Sequence, residues 1–188
     1  LLNRSLRDRK VSPDMNLADL AVIFKKGLTD LPVNYRPIAL LNLSYKLLAS
    51  ILQKRIALGL DHRLDPFQFG FRKTRSTLQP LFIYRTLQEI HEKSGQEFIT
   101  LLLDGEKAFD KVDREKMFEA LERLNINKKI INIVKSLYKD TQFMVELEGD
   151  SSRWLNQETG IRQGCPLSPY LFIIVMTVMF EDVKEDPN

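Results

Sequence analysis

The sequence predicts an α+β fold, and three patterns carry the prediction. Sets of apolar residues recur at helical spacing in five separate segments. One continuous apolar run, residues 98–103, has the length and two-faced apolarity of a central strand. A stretch around Phe143, Val145 and Leu147 alternates as one arm of a hairpin. Composition agrees with a packed domain: of 188 residues, 44% are hydrophobic and 28% charged, which argues against disorder and coiled coil.

Taken in order, residues 21–24 form a short β-type run ended by Lys25, Lys26 and Gly27. Leu47, Leu48, Ile51, Leu52 and Ile56 place a helix over 44–59, with Gly59 as its stop. Residues 61–77 read as a loop containing Pro66 and Gly70, and 76–93 as a second helix stopped by Ser94 and Gly95. The strand over 98–103 ends at Asp104. Asp113 caps a helix carrying Met117, Phe118, Leu121 and Leu124, and Asn127 caps another with Ile131, Val134 and Leu137. Gly149 to Ser152 turn the hairpin, and residues 153–159 return. Ser168 and Pro169 then open a last helix that extends to about Val183.

Composition also excludes classes. One cysteine, Cys165, and two histidines, His62 and His91, exclude a disulfide framework and make zinc chemistry implausible. The longest strongly apolar run, residues 170–180, is too short for a membrane span, which needs about 20 residues. The first residues contain no signal core and read as an internal cut. Net charge is +3, but residues 1–96 hold 16 Lys+Arg against 8 Asp+Glu, whereas 97–188 hold 12 against 17. A basic half beside an acidic half suits a protein that holds a polyanion with one part and metal cations with the other, and equally suits a solvated basic surface.

Three blocks could carry chemistry. Asp104 ends the strand, where a carboxylate and the next backbone carbonyl, that of Gly105, are natural oxygen donors to Mg²⁺; in the same block Asp110 and Asp113 read as a salt-bridge residue and an N-cap. Residues 160–169, with two glycines and two prolines around Arg162 and Gln163, make a tight backbone before a helix. Residues 68–77 interleave Phe69 and Phe71 with Arg72, Lys73 and Arg75, a composition able to hold phosphates.

Together these blocks resemble the fingers and palm of a reverse transcriptase of the non-LTR (LINE-like) retrotransposon type, from about Val22 to Val183. Lys25-Lys26-Gly27, Asn34-Tyr35-Arg36-Pro37-Ile38 with Tyr45-Lys46, the 68–77 segment, Leu103 to Arg114, and Arg162-Gln163-Gly164-Cys165-Pro166-Leu167-Ser168-Pro169 match its motifs in order. The resemblance implies a right-hand polymerase with an antiparallel palm sheet packed on helices. Residues 1–95 would be a basic, fingers-like region and 96–188 a partial palm. Asp104 would be the first catalytic carboxylate of a two-Mg²⁺ polymerase, with Gly105 contributing its carbonyl to metal. Phe109 would be the steric gate against a ribose 2′-hydroxyl. Arg72 would lie over the incoming triphosphate, and Gln163 and Gly164 would line the nucleotide pocket. Lys73 and Arg75, with Lys25, would contact nucleic acid, and Arg36 is a template contact or a structural one. Implied partners are an RNA template, a DNA primer and dNTP, in an intracellular setting that includes the nucleus, with no membrane.

Two departures from that pattern shape the expectation. A glycine, Gly105, stands where a bulky apolar residue is usual. The aromatic-Ala-Asp-Asp hairpin does not occur in these 188 residues, nor does a thumb. The expectation is a partial RNA-directed DNA polymerase that is inactive by itself, with a palm surface left open to self-association. A non-catalytic nucleic-acid-binding remnant and a group II intron maturase are the competing readings.

Overall fold

The structure is a computed structural model that describes residues 2–147 and 149–185. A short helix, α1 (Leu2–Asp8), leads into β1 (Leu17–Phe24), which pairs antiparallel with β2 (Tyr35–Leu40) in the register Phe24 to Tyr35 and Asp19 to Leu40. Four helices follow: α2 (Leu43–Leu60), α3 (Leu78–Ser94), α4 (Arg114–Arg123) and α5 (Lys128–Tyr138). The chain then returns as β3 (Gln142–Leu147), with β4 (Asp150–Ser151) and β5 (Leu155–Asn156) turning back on it, and closes in α6 (Ser168–Glu185).

The α+β class holds, but the sheet is mixed, not wholly antiparallel. β3 lies parallel to β1, with Leu17 opposite Gln142 and Leu20 opposite Val145. Parallel neighbours need a long crossover, and the helices between β2 and β3 provide it. β1 is therefore the central strand, with β2 on one edge and β3 on the other, and a strand from the first 95 residues pairs with one from the remainder.

The helical layer follows its sequence patterns closely. The Asn42 side chain accepts from the Tyr45 amide (2.7 Å) and caps α2. The helix buries Tyr45, Leu48, Ala49, Leu52, Ile56 and Leu60, which lie on one face. Leu47 faces outward, and Gly59 lies inside the helix instead of ending it. Asp113 accepts from the Lys116 amide (3.0 Å) and Asn127 from the Lys129 amide (2.9 Å), capping α4 and α5 as their residue types suggested. α4 packs on α6, where the Arg123 guanidinium grips Asp182 through two hydrogen bonds (2.9 and 2.5 Å).

The run 98–103 departs from expectation. It forms no strand, and Ile99, Leu101, Leu102 and Leu103 are each at least 80% exposed. β2 lies along one edge of β1 over residues 19–24, β3 along the other over 17–20 only, and the outer side of β3 carries β4 and β5. A strand exists only where a neighbour supplies donors and acceptors, and among the described residues no strand pairs with this segment. α3 is likewise detached from the core. It buries none of its residues, with Leu78, Leu81 and Phe82 more than half exposed, and ends at Gly95 in the left-handed region (φ 67°). Phe98 rests against Tyr84 and His91 of α3, with ring centroids 5.7 and 5.0 Å apart.

One buried cation ties the ends of the chain together. Arg162, 2% exposed, donates to the Met15 carbonyl (3.1 Å) and to the Asn16 carbonyl, and its guanidinium lies 5.2 Å from the centre of the Tyr45 ring. The Tyr45 hydroxyl donates to Cys165 Sγ (3.3 Å), and burial pushes its pKa well above the ordinary phenol value.

Candidate functional site

The loop from Gly160 to Leu167 builds the site by joining two distant segments at backbone level. The Gly160 amide donates to the Val112 carbonyl (2.9 Å) and the Ile161 amide to the Phe109 carbonyl (2.9 Å). Gly160 has φ 75°, and a Cβ there would sit 2.6 Å from the Asp110 carbonyl oxygen. Three residues on, the Gln163 carbonyl accepts from Ala39 of β2. Gly164 has φ 104°, and a Cβ there would lie 2.6 Å from the Ala39 carbonyl oxygen. Both contacts require glycine, through the backbone angle and the space together.

Between β2 and the 105–110 segment this docking leaves a cleft of about 620 Å³. Lys25, Arg36, Gly105, Phe109, Gln163 and Gly164 line it, which brings together six residues singled out from four separate sequence segments. Lys25 and Arg36 sit on the β1–β2 side and are exposed. Phe109 is half-buried. Its ring stacks on Phe172 of α6 (centroids 4.8 Å apart, planes 17° apart) and meets the edge of Phe71 at 6.2 Å.

The other candidates lie elsewhere. Asp104 is exposed and does not line the cleft, although Gly105 beside it does. Arg72 is buried, and its donors are turned inward. Nε and one terminal nitrogen bind the Asp61 carboxylate (3.1 and 3.2 Å), and the terminal nitrogens also reach the carbonyls of Asp61 (2.6 Å), Asp65 (2.9 Å) and Gln68 (3.2 Å). In this structure Arg72 thus organises the 61–72 loop and faces no part of the cleft. A cation that follows an aromatic-rich stretch gives the same sequence signal whether its donors point at a ligand or at the loop itself. The loop is further moored to α6, where the Tyr170 hydroxyl donates to Asp61 (3.2 Å) and Lys184 to Asp65 (2.7 Å). The Lys184 ammonium holds the Asp65 carboxyl below its ordinary pKa. Lys73 is exposed, and Arg75 lies over the Phe69 ring at 5.5 Å.

Asp110 joins the site without having been singled out for it. Read from sequence as a salt-bridge residue, it lines the cleft and accepts a hydrogen bond from the Gln163 side-chain amide (3.0 Å). Its position six residues after Asp104, beside Phe109, is the only sequence hint. As for metal, the Asp104 carboxylate and the Gly105 carbonyl are oxygen donors suited to a hard cation. Among the described residues, however, no three His, Cys, Asp or Glu side chains come together to hold one. These donors do not compose a metal site by themselves.

The glycine geometry gives contrasting expectations. Gly164→Ala combines an unfavourable φ with a collision against the backbone of β2, and should cost about 1–3 kcal/mol. At Gly105 the new Cβ would meet only the Ala108 Cβ at 3.3 Å, so Gly105→Ala should change stability by less than about 1 kcal/mol in either direction. Urea unfolding of the two variants, monitored by circular dichroism, compares them directly.

Known proteins resemble this chain in sequence family and in overall fold. The family model described as "Reverse transcriptase (RNA-dependent DNA polymerase)" matches residues 23–187. A Xenopus laevis protein named "Transposon TX1 uncharacterized 149 kDa protein" is 30% identical over 85% of this chain. A Pol polyprotein of the type-1 retrotransposable element R2 from Popillia japonica is 29% identical over 89% of it. The RNA-directed DNA polymerase from mobile element jockey of Drosophila funebris is 30% identical over 84%. The chain spans 12%, 23% and 17% of the length of these three relatives. Among solved structures, apo telomerase from Candida tropicalis, truncated from its C-terminal domain, superposes with a TM-score of 0.61 at 16% identity, covering 98% of this chain and 44% of that one, and so shares the fold. With a family match over nearly its whole length and relatives of this kind, the chain belongs to the reverse transcriptase family, in its non-LTR retrotransposon branch.

Proposed function

We propose that this chain is the fingers and partial palm of an RNA-directed DNA polymerase, and that its cleft receives the incoming dNTP against an RNA template and DNA primer. The observation that carries this reading is the convergence of Lys25, Arg36, Gly105, Phe109, Gln163 and Gly164 on one 620 Å³ space. Two cations on one wall would attract phosphates. The Phe109 ring, backed by Phe172, would set the room available beside a sugar. The glycine backbone of the 160–164 loop lets a ligand approach closely. Arg36 fits the template-contact role better than the structural one, because it is exposed on the cleft wall. Arg72 would act indirectly, by shaping the loop that carries Lys73 and Arg75. Members of this family use divalent metals, and Asp104 with the Gly105 carbonyl would donate to Mg²⁺ as one part of a larger ligand set. That substrate fits an intracellular setting, of which the nucleus is one.

Binding to nucleic acid should be mainly electrostatic. With three or four phosphates neutralised, log K for labelled single-stranded RNA should fall with log monovalent salt at a slope of roughly −2 to −3. Lys25→Ala with Arg36→Ala should reduce the magnitude of that slope by about 1–1.5 and weaken all sequences alike. Fluorescence anisotropy measures both, and unchanged binding by the double variant would reject the assignment of these cations.

Two-metal nucleotidyl transfer needs carboxylates that hold ions about 3.5–4 Å apart, and the described residues bring no such group together. We therefore expect no primer extension by the 188-residue chain on an RNA template with Mg²⁺ and dNTPs. Incorporation that disappears in Asp104→Ala would contradict this.

The exposed apolar side chains of α3 and of residues 98–103 also favour self-association. Sedimentation velocity at micromolar concentration should reveal dimers or larger species, and a single monomeric boundary would count against it. No helix among the described residues is long and apolar enough to cross a membrane.

A further inference from the structure

We propose that Asp110 is a positioning residue, whose carboxylate fixes the Gln163 side-chain amide so that its oxygen faces the cleft as a hydrogen-bond acceptor. The inference rests on the cleft reading given above. It begins with the 3.0 Å hydrogen bond from Gln163 Nε2 to Asp110 Oδ1, two residues that both line the cleft.

The chemistry of the pair removes the usual ambiguity of an amide. An ionised carboxylate only accepts, so the nitrogen of Gln163 must be the atom turned toward Asp110. The amide oxygen is then left pointing away from the carboxylate, together with the second N–H. A free glutamine would interchange the two ends and offer a donor as readily as an acceptor. The charged acceptor makes the chosen orientation the stronger one, since hydrogen bonds to ionised groups are about twice as strong as neutral ones.

Backbone contacts hold the two partners in place from both sides. Asp110 is anchored because its amide donates to the Lys107 carbonyl (2.9 Å) and because Gly160 is packed against its main chain. Gln163 is anchored because its carbonyl accepts from Ala39, and because Arg162 and Gly164 on either side are buried and pressed onto β2 respectively. With both backbones fixed, only the side-chain rotamers of the two residues remain to be ordered when the bond forms. A site that presents an oriented acceptor binds ligands bringing a hydroxyl or N–H donor to that point, and disfavours those that do not.

The test uses the ¹⁵N-labelled chain and three variants. The Gln163 side-chain NH₂ signals are identified by their loss in Gln163→Ala. Asp110→Val removes the acceptor and should shift both signals toward those of a free amide. Asp110→Asn keeps an acceptor oxygen and should leave them close to the parent, with backbone signals of the core unchanged in every variant. If Asp110→Val leaves the NH₂ signals unmoved, the proposal is overturned. Titration with dATP supplies the second reading. Asp110→Val and Gln163→Ala should each weaken binding about three- to tenfold, Asp110→Asn should restore most of the loss, and the Asp110→Val/Gln163→Ala double variant should be no weaker than Gln163→Ala alone. Additive losses would overturn the proposal, because the two residues would then act independently. Failure of the parent to bind dATP would instead reject the nucleotide role of the cleft, while the amide signals would still decide whether Asp110 orients Gln163.

Discussion

The structure depends on a buried guanidinium. Among the described residues no carboxylate pairs with Arg162; its terminal nitrogens are met by the carbonyls of Met15 and Asn16 and its plane by the face of Tyr45, while its buried Nε has no hydrogen-bond partner. A buried cation is costly unless its donors are matched, so this arrangement fixes three parts of the chain at once: the turn before β1, the start of α2, and the loop before α6. Because β1 begins one residue after Asn16, the same contact sets where the central strand lies relative to the loop that carries Gln163. Loss of the cation would leave carbonyls unpaired in the interior and release the one segment that spans the cleft.

From that anchor the site is assembled by main-chain contact more than by side chains. The loop from Gly160 to Gly164 bonds to residues 109 and 112 at one end and to β2 at the other, with a glycine at each point where a Cβ would strike backbone. Side chains then project from rigid positions: Phe109 between Phe71 and Phe172, Gln163 against Asp110, and Lys25 and Arg36 from the β1–β2 pair. Such a framework holds its geometry without a ligand, so binding energy need not be spent on ordering it.

The opposite condition holds around α3 and residues 98–103. There the apolar surface is large, the backbone of 98–103 is not in any sheet, and the contacts are a few ring edges around Phe98. The 61–72 loop next to α3 is ordered by other means, through Arg72 on Asp61 and the ties to Tyr170 and Lys184. The molecule therefore combines a well-packed helical and sheet core with an apolar flank, and the basic residues Lys73 and Arg75 stand between them.

Read alone, the sequence determined whatever depends on near neighbours. The caps Asp113 and Asn127, the αL stop at Gly95, the hairpin after Phe143 and the buried faces of α4 and α5 are local matters of spacing and residue type, and they were legible. The family was legible too, because its motifs are short words in a fixed order. The tertiary structure decided whatever depends on partners far along the chain. Residues 98–103 have the composition of a central strand, but a strand exists only where another strand pairs with it, and none of the described strands does. Arg72 carries the same charge whether it faces phosphate or Asp61, and only the fold of the 61–72 loop chose. Asp110 looked like an ordinary surface acid until the approach of Gly160 to its backbone brought Gln163 within hydrogen-bonding distance. Periodicity records which residues can be buried; which donors and acceptors remain open is settled only when distant segments meet.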